Sequence, residues 1–301
     1  MSAPGSWRWF KLLSILLGLL MLEAGLRLVD PPMAWSAGAF DGHRLDIRAW
    51  KWWDNQRGGE FNPQGYRDTD WAALSSAKRA VFVGDSRVYG LYLDPEQTIS
   101  ARFTAQAPGW VGLNMGEVGM TPVELVDGLQ EEITALSPQL VVLSVDINPS
   151  VLALASRRDF SRRSDALAHL LRSVAILRHL ELGVRAAWAQ GARQRVQSID
   201  EYTADMQETL AHLSASGSVR PVVLVGWTPM PAIDGLWDPV TYDAYRAASR
   251  LAAVESGADV IEVEAVLSGM RASDAFVGPG LHYSAQASDK IAAAVWALVS
   301  P

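Results

Sequence analysis

Residues 79–87 read Arg-Ala-Val-Phe-Val-Gly-Asp-Ser-Arg, an apolar β-branched run that ends in a glycine turn carrying a serine. Four more runs of this kind follow: WVGLN (110–114), LVVLSVD (140–146), PVVLV (221–225) and DVIEV (259–263). They are continuously apolar rather than alternating, the pattern of parallel strands covered on both faces. Helical periodicity fills the gaps, over 95–107, 122–136, 200–215, 241–256 and 284–298. Strand alternating with helix predicts an α/β fold, a three-layer sandwich with a five-stranded parallel sheet, over residues 77–301. Between the third and fourth runs, 150–199 is expected as a helical insertion rich in Arg and Leu, packed over one rim of the sheet.

Composition narrows the chemistry. The chain has 301 residues, of which 49% are hydrophobic and 20% charged, as in a globular protein. A net charge of −7 gives no basic footprint for nucleic acid. There is no cysteine, hence no disulfide, thiolate nucleophile, iron–sulfur cluster or cysteine-held zinc. The five histidines (His43, His169, His179, His212, His282) are scattered, with no metal-ligand spacing. The expectation is a chain with no cofactor and no metal.

The first 35 residues differ in kind. Leu12–Leu22 is an unbroken apolar run, and from Trp9 to Val29 only Lys11, Glu23 and Arg27 are charged. At about 1.5 Å per residue such a stretch nearly matches a hydrocarbon core of roughly 30 Å. Trp7, Trp9 and Trp35 suit the two interfaces, and Pro31-Pro32 stops the helix. Residues 9–29 therefore read as a single-pass signal anchor in a bacterial inner membrane, preceded by Arg8 and Lys11. By the positive-inside tendency the N-terminus is cytoplasmic and the rest periplasmic. A cleaved signal peptide is the other reading of this segment. Glu23 and Arg27, one turn apart, either snorkel together to the outer interface or contact a subunit of a membrane complex. Seven of the twelve tryptophans fall in the first 71 residues, most of them in a neck over 36–76. The neck either packs on the domain or forms a docking surface for a partner.

In an open parallel sheet, ligands collect at the carboxyl ends of the strands. The residues there are Gly84-Asp85-Ser86-Arg87, Asn114-Met115-Gly116-Glu117-Val118-Gly119, Asp146-Ile147-Asn148 and, before the last helix, Gly280-Leu281-His282-Tyr283-Ser284. A serine, a glycine turn, an asparagine and a histidine on one rim are the parts of an acyl-transfer site. Taken singly, each has a plain structural reading, as a turn, a strand-end hydrogen-bonder or a satisfied histidine. The ordered set, each member after its own strand, is far less ordinary.

From Asn62 onward the chain resembles the SGNH, or GDSL, hydrolase family. FNPQGYRD (61–68), VFVGDSRVYG (81–90), LNMGEVGM (113–120), Asn148 and HYSAQASDKIA (282–292) stand in that family's order. The N-terminal helix ending in LEAGLRL is similar to that of its membrane-anchored bacterial branch. The resemblance implies the flavodoxin-like fold of that family, with Ser86 as nucleophile and His282 as general base. It implies an oxyanion hole from the Ser86 and Gly119 N–H groups and the Asn148 amide, and a structural role for Asp85.

One position departs from the pattern. The family carries an aspartate three residues before the histidine, and here that residue is Pro279, with Gly278 as the other alignment. Asp274, eight residues upstream, is the candidate orienting acid; otherwise a Ser–His dyad stands alone. Two function classes follow. One is a membrane-anchored serine esterase acting on O-acyl groups of envelope glycans or lipids. The other is a catalytically silent accessory subunit of a respiratory, photosynthetic or polysaccharide-export assembly, held by its helix and neck.

Overall fold

A computed structural model describes residues 14–22, 62, 66–71, 77–117, 119–150, 152–153, 194–195, 197–215, 217–231, 237–278 and 280–300. Its five long strands are β1 (Lys78–Gly84), β2 (Trp110–Gly116), β3 (Leu140–Ser144), β4 (Arg220–Val225) and β5 (Asp259–Glu262). They form one sheet in the order β2-β1-β3-β4-β5, with every pair parallel. β1 lies between β2 and β3, and both are registered against it, Val83 facing Met115 on one side and Leu143 on the other.

Alternate side chains of each strand feed two separate cores. Val81, Val83, Val141, Leu143, Val223 and Val225 pack under the helices Ile199–Ala215 and Pro239–Ser256. Ala80, Phe82, Leu140, Val142, Val222 and Leu224 pack under Ile99–Gln106 and Ala285–Val299 on the opposite face. Strands buried on both faces must be apolar at every position, which is why they read as unbroken runs. The expected α/β class and five-stranded parallel sheet are present.

Local boundaries differ where a specific group intervenes. Residues 95–107 are a 3-10 turn, Pro95–Gln97, and then an α-helix from Ile99, because the Thr98 hydroxyl accepts the Ala101 N–H and starts a new helix. Helix 122–136 contains a π-turn over Leu125–Leu129, where Gly128 weakens the α-helical preference. β3 ends at Ser144 rather than at Asp146, whose carboxylate is drawn off to a buried arginine.

By internal contacts the chain divides into two units, Met1–Asp41 with Arg162–Ala192, and Gly42–Ser161 with Arg193–Pro301. In the first, Ser14–Leu22 is helical and its large apolar side chains are exposed, from Leu19 at 47% to Met21 at 69%. No helix among the described residues is long and apolar enough to cross a membrane. The rest of the expected span, Glu23 and Arg27 included, lies outside the described residues, as do most of the neck and most of 150–199. Within the second unit, the described part of the neck is packed rather than free. Tyr66 and Trp71 stack at 4.8 Å and are buried in the core.

Candidate active site

Ser86 opens a single helical turn, Ser86–Tyr89, directly after β1. Asp85 caps it: its Oδ1 accepts the Arg87 N–H at 2.8 Å and its carbonyl accepts the N–H groups of Val88 and Tyr89. Two glycines let this turn seat between the neighbouring strand ends. A Cβ on Gly84 would lie 2.3 Å from the Ser144 carbonyl oxygen, and one on Gly116 would lie 2.2 Å from the Tyr89 nitrogen. Asp85 thus has the structural role expected of it.

His282 arrives from the far end of the chain. It lies in a short antiparallel pair, Phe276–Val277 against His282–Tyr283, just before the Ser284 cap of the last helix. Its Nε2 is 3.0 Å from Ser86 Oγ, and the residue is 6% exposed. The serine and histidine foreseen from opposite ends of the sequence therefore meet. Burial disfavours the imidazolium and pushes the His282 pKa down from 6.5 to about 4; Asp85 acts upward and Arg87 downward. The ring is a neutral base at physiological pH.

The Asn148 amide Nδ2 donates to the Met120 carbonyl at 3.1 Å, which ties the loop after β3 to the residue following Gly119. Gly119 is buried and adopts φ 83°, left-handed backbone that suits glycine. Among the described residues the backbone N–H groups of Ser86 and Gly119 donate no hydrogen bond.

Asp274 does not orient the histidine. Its carboxylate forms two bonds to the Arg271 guanidinium, 2.8 and 3.2 Å, and that pairing holds its pKa below the usual carboxylate value. His282 Nδ1 is buried and has no hydrogen-bond partner among the described residues. Among the described residues, then, the Ser86–His282 pair has no carboxylate on the second imidazole nitrogen.

Sequence reasoning missed the side chain beneath the dyad. Arg87 is completely buried, with its guanidinium on Asp85 at 2.7 Å and on Asp146 at 2.5 Å. Burial alone would favour the neutral form, but the two carboxylates, Asp85 foremost, hold it charged with its pKa well above the ordinary arginine value. Asp146 also accepts the Tyr242 hydroxyl at 3.3 Å and the Gly226 N–H at 2.6 Å, so the cluster links the ends of β1, β3 and β4. A Cβ on Gly226 would meet Arg87 Nη1 at 2.1 Å. The available signal was a cation directly after Gly-Asp-Ser with a second acid at the end of another strand. A second cation, Arg67, binds the carbonyls of Gly90 (2.6 Å), Tyr89 (3.3 Å) and Leu93 just beyond the Ser86 turn. Among the described residues no cluster of His, Asp or Glu could hold a metal ion.

No protein-family model matches the chain, and no curated protein matches it. Solved structures do. A putative GDSL-like lipase from Parabacteroides merdae matches at 13% identity and TM-score 0.51, over 75% of this chain and 96% of its own. A catalytic mutant of an acetylxylan esterase from Geobacillus stearothermophilus matches at 16% identity and TM-score 0.49, over 75% and 95%. A lipase/acylhydrolase from Enterococcus faecalis gives 16% identity and TM-score 0.49, over 74% and 95%. At these identities the likeness is one of fold: the chain shares the fold of the putative GDSL-like lipase.

Proposed function

We propose that the protein is an SGNH-type serine esterase that works with a Ser86–His282 dyad. The observation that carries this reading is the 3.0 Å contact between His282 Nε2 and Ser86 Oγ, made by residues 196 positions apart. Ser86 Oγ attacks the acyl carbonyl carbon while its proton passes to Nε2. The carbonyl π-electrons move onto oxygen, and in this reading the Ser86 and Gly119 N–H groups and the second N–H of the Asn148 amide donate to it. Collapse of the intermediate expels the alcohol, which takes the proton back from Nε2. Water then attacks the acyl-serine with the same base, releases the carboxylic acid and regenerates Ser86.

The substrates we infer are O-acyl groups on envelope glycans or lipids, met at a periplasmic face by a chain of the membrane-anchored branch. Support comes from the helix 14–22, which exposes Ile15, Leu16, Leu17, Leu19, Leu20, Met21 and Leu22 on every side, and from Arg8 and Lys11 ahead of it.

The His282 Nδ1, without a partner among the described residues, favours a second reading, a silent SGNH-like subunit of a membrane complex. Labelling by a fluorophosphonate probe separates the two without knowledge of the substrate. The esterase reading requires labelling that Ser86→Ala abolishes, together with hydrolysis of p-nitrophenyl acetate lost in the same variant. An unlabelled, inert protein that leaves the membrane in a stoichiometric complex would establish the other.

A further inference from the structure

Tyr92 has an unusual backbone and an unusual neighbour. Its φ is +72°, one of two left-handed non-glycine residues in the described structure, and a bulky side chain rarely adopts that conformation. Burial does not explain it, because the residue is 63% exposed. Its ring sits edge-to-face with the imidazole of His282, centroids 5.2 Å apart at 73°. A second contact is equally specific. Gly278 comes so near that a Cβ there would lie 2.8 Å from Tyr92 Cε2 and 3.1 Å from Cδ2. Gly278 is one of the two positions where the family pattern would place the orienting acid, and here it lies against the Tyr92 ring instead.

Strain of this kind persists only where surrounding contacts dictate it. Here they do. The Arg67 guanidinium binds the carbonyls of Tyr89, Gly90 and Leu93, and so brackets Tyr92 on both sides; it also lies over the Tyr89 ring at 5.2 Å. The N–H groups of Gly90 and Leu91 donate to the Ser86 carbonyl, at 3.1 and 3.0 Å. The turn carrying Tyr92 is therefore built onto the residue carrying the nucleophile. Among the described residues the imidazole has one hydrogen bond, through Nε2, and none through Nδ1.

We propose that Tyr92 is the positioning residue for His282: its ring, held in a strained turn by Arg67, fixes the imidazole plane that a carboxylate would otherwise orient. Tyr66, next to Arg67 in the chain, is itself held, its N–H donating to Asn62 Oδ1.

This proposal rests on the dyad reading, and its test keeps the two apart. In the full-length protein, Tyr92→Gly relieves the left-handed strain and removes the ring; Tyr92→Phe keeps the ring. We expect Tyr92→Gly to lower kcat for p-nitrophenyl acetate about 10–100-fold, the scale of a slightly misplaced catalytic group, with KM within about twofold. Its Tm should hold or rise by about 2–4 °C, because a strained residue has been relaxed. Tyr92→Phe should restore the rate. Imidazole nitrogen NMR, with His282 assigned by its loss in His282→Gln, should show one tautomer in the wild type and an averaged ring in Tyr92→Gly. A kcat within twofold of wild type, a loss carried by KM, or activity falling together with Tm would each overturn the proposal. A wild type inert to substrate and probe would sink the dyad reading instead. The NMR comparison then decides the role of Tyr92 by itself, an unchanged His282 tautomer in Tyr92→Gly refuting it.

Discussion

The depressed His282 pKa makes a stability measurement into a test of the site. In the unfolded chain the imidazole takes a proton near pH 6.5; in the folded protein burial delays this to about pH 4. Between those values the unfolded state binds more protons, so stability rises with pH across the window and is lost as pH falls through it. The protonation linkage amounts to about 2 kcal/mol between pH 8 and pH 5, and about 3 kcal/mol by pH 4. Carboxylates titrate in the same range, so the wild type alone is uninformative. The difference between the wild type and His282→Gln isolates the group, since glutamine has no titration and the other residues cancel. Urea unfolding at half-unit steps from pH 8 to pH 4 should give a difference that is flat above pH 7 and then falls by about 2 kcal/mol at pH 5. The acid limb of kcat/KM should lie near pH 4 for the same reason, because the free enzyme's base is the same imidazole. A stability difference flat down to pH 5, or an acid limb near 6.5, would refute the claim that the ring is held neutral by burial.

Two other perturbations probe the surroundings of the dyad. Asp146→Ala removes one of the two carboxylates on the buried Arg87 and leaves the Gly226 N–H unpaired; urea unfolding should show a loss of about 3–5 kcal/mol, and a loss under 1 kcal/mol would mean that the cluster holds nothing. Pro279→Asp supplies the carboxylate three residues before His282; steady-state kinetics should show a higher kcat and an acid limb moved upward from about 4, since a nearby anion favours the imidazolium. An unchanged limb would mean that this position does not reach Nδ1.

The sheet could be read from the chain because burial on both faces forces β-branched continuity, and no tertiary knowledge is needed to see it. Ser86 and His282 could be read because chemistry restricts residue type after strand ends. Arg87 could not: a long cation after Gly-Asp-Ser reads as surface, and its burial depends on Asp146, 59 residues away, arriving from another strand. Tyr92 was hidden for a different reason, since its significance lies in a backbone angle that no residue type declares. Asp274 misled because it was judged by its distance along the chain to His282 alone. Arg271, three residues before it, was the nearer partner and claims its carboxylate.

The missing acid has two separable consequences, and the structure weighs them differently. In the serine-protease template, losing the correct orienting acid lowers kcat about 10⁴-fold. One part is electrostatic: no carboxylate at Nδ1 offsets the burial that lowers the imidazole pKa from 6.5 to about 4, a depression that makes complete transfer of the serine proton harder by about 300-fold. The other part is orientation and tautomer. The electrostatic part has only a partial substitute, because Asp85 acts upward on the ring ahead of Arg87 acting downward, and burial outweighs both. The orientational part does have one in the aromatic contact and the strained turn behind it. A Ser86–His282 dyad of this construction is therefore expected to be a slow catalyst with an ordered base. An added carboxylate at 279 should recover chiefly the electrostatic factor, and removal of the Tyr92 ring should forfeit chiefly the other. Combining Pro279→Asp with Tyr92→Gly should give nearly additive effects on log kcat if the two parts are independent. Strong rescue of Tyr92→Gly by Pro279→Asp would show instead that ring and carboxylate perform one task, the orientation of the same imidazole.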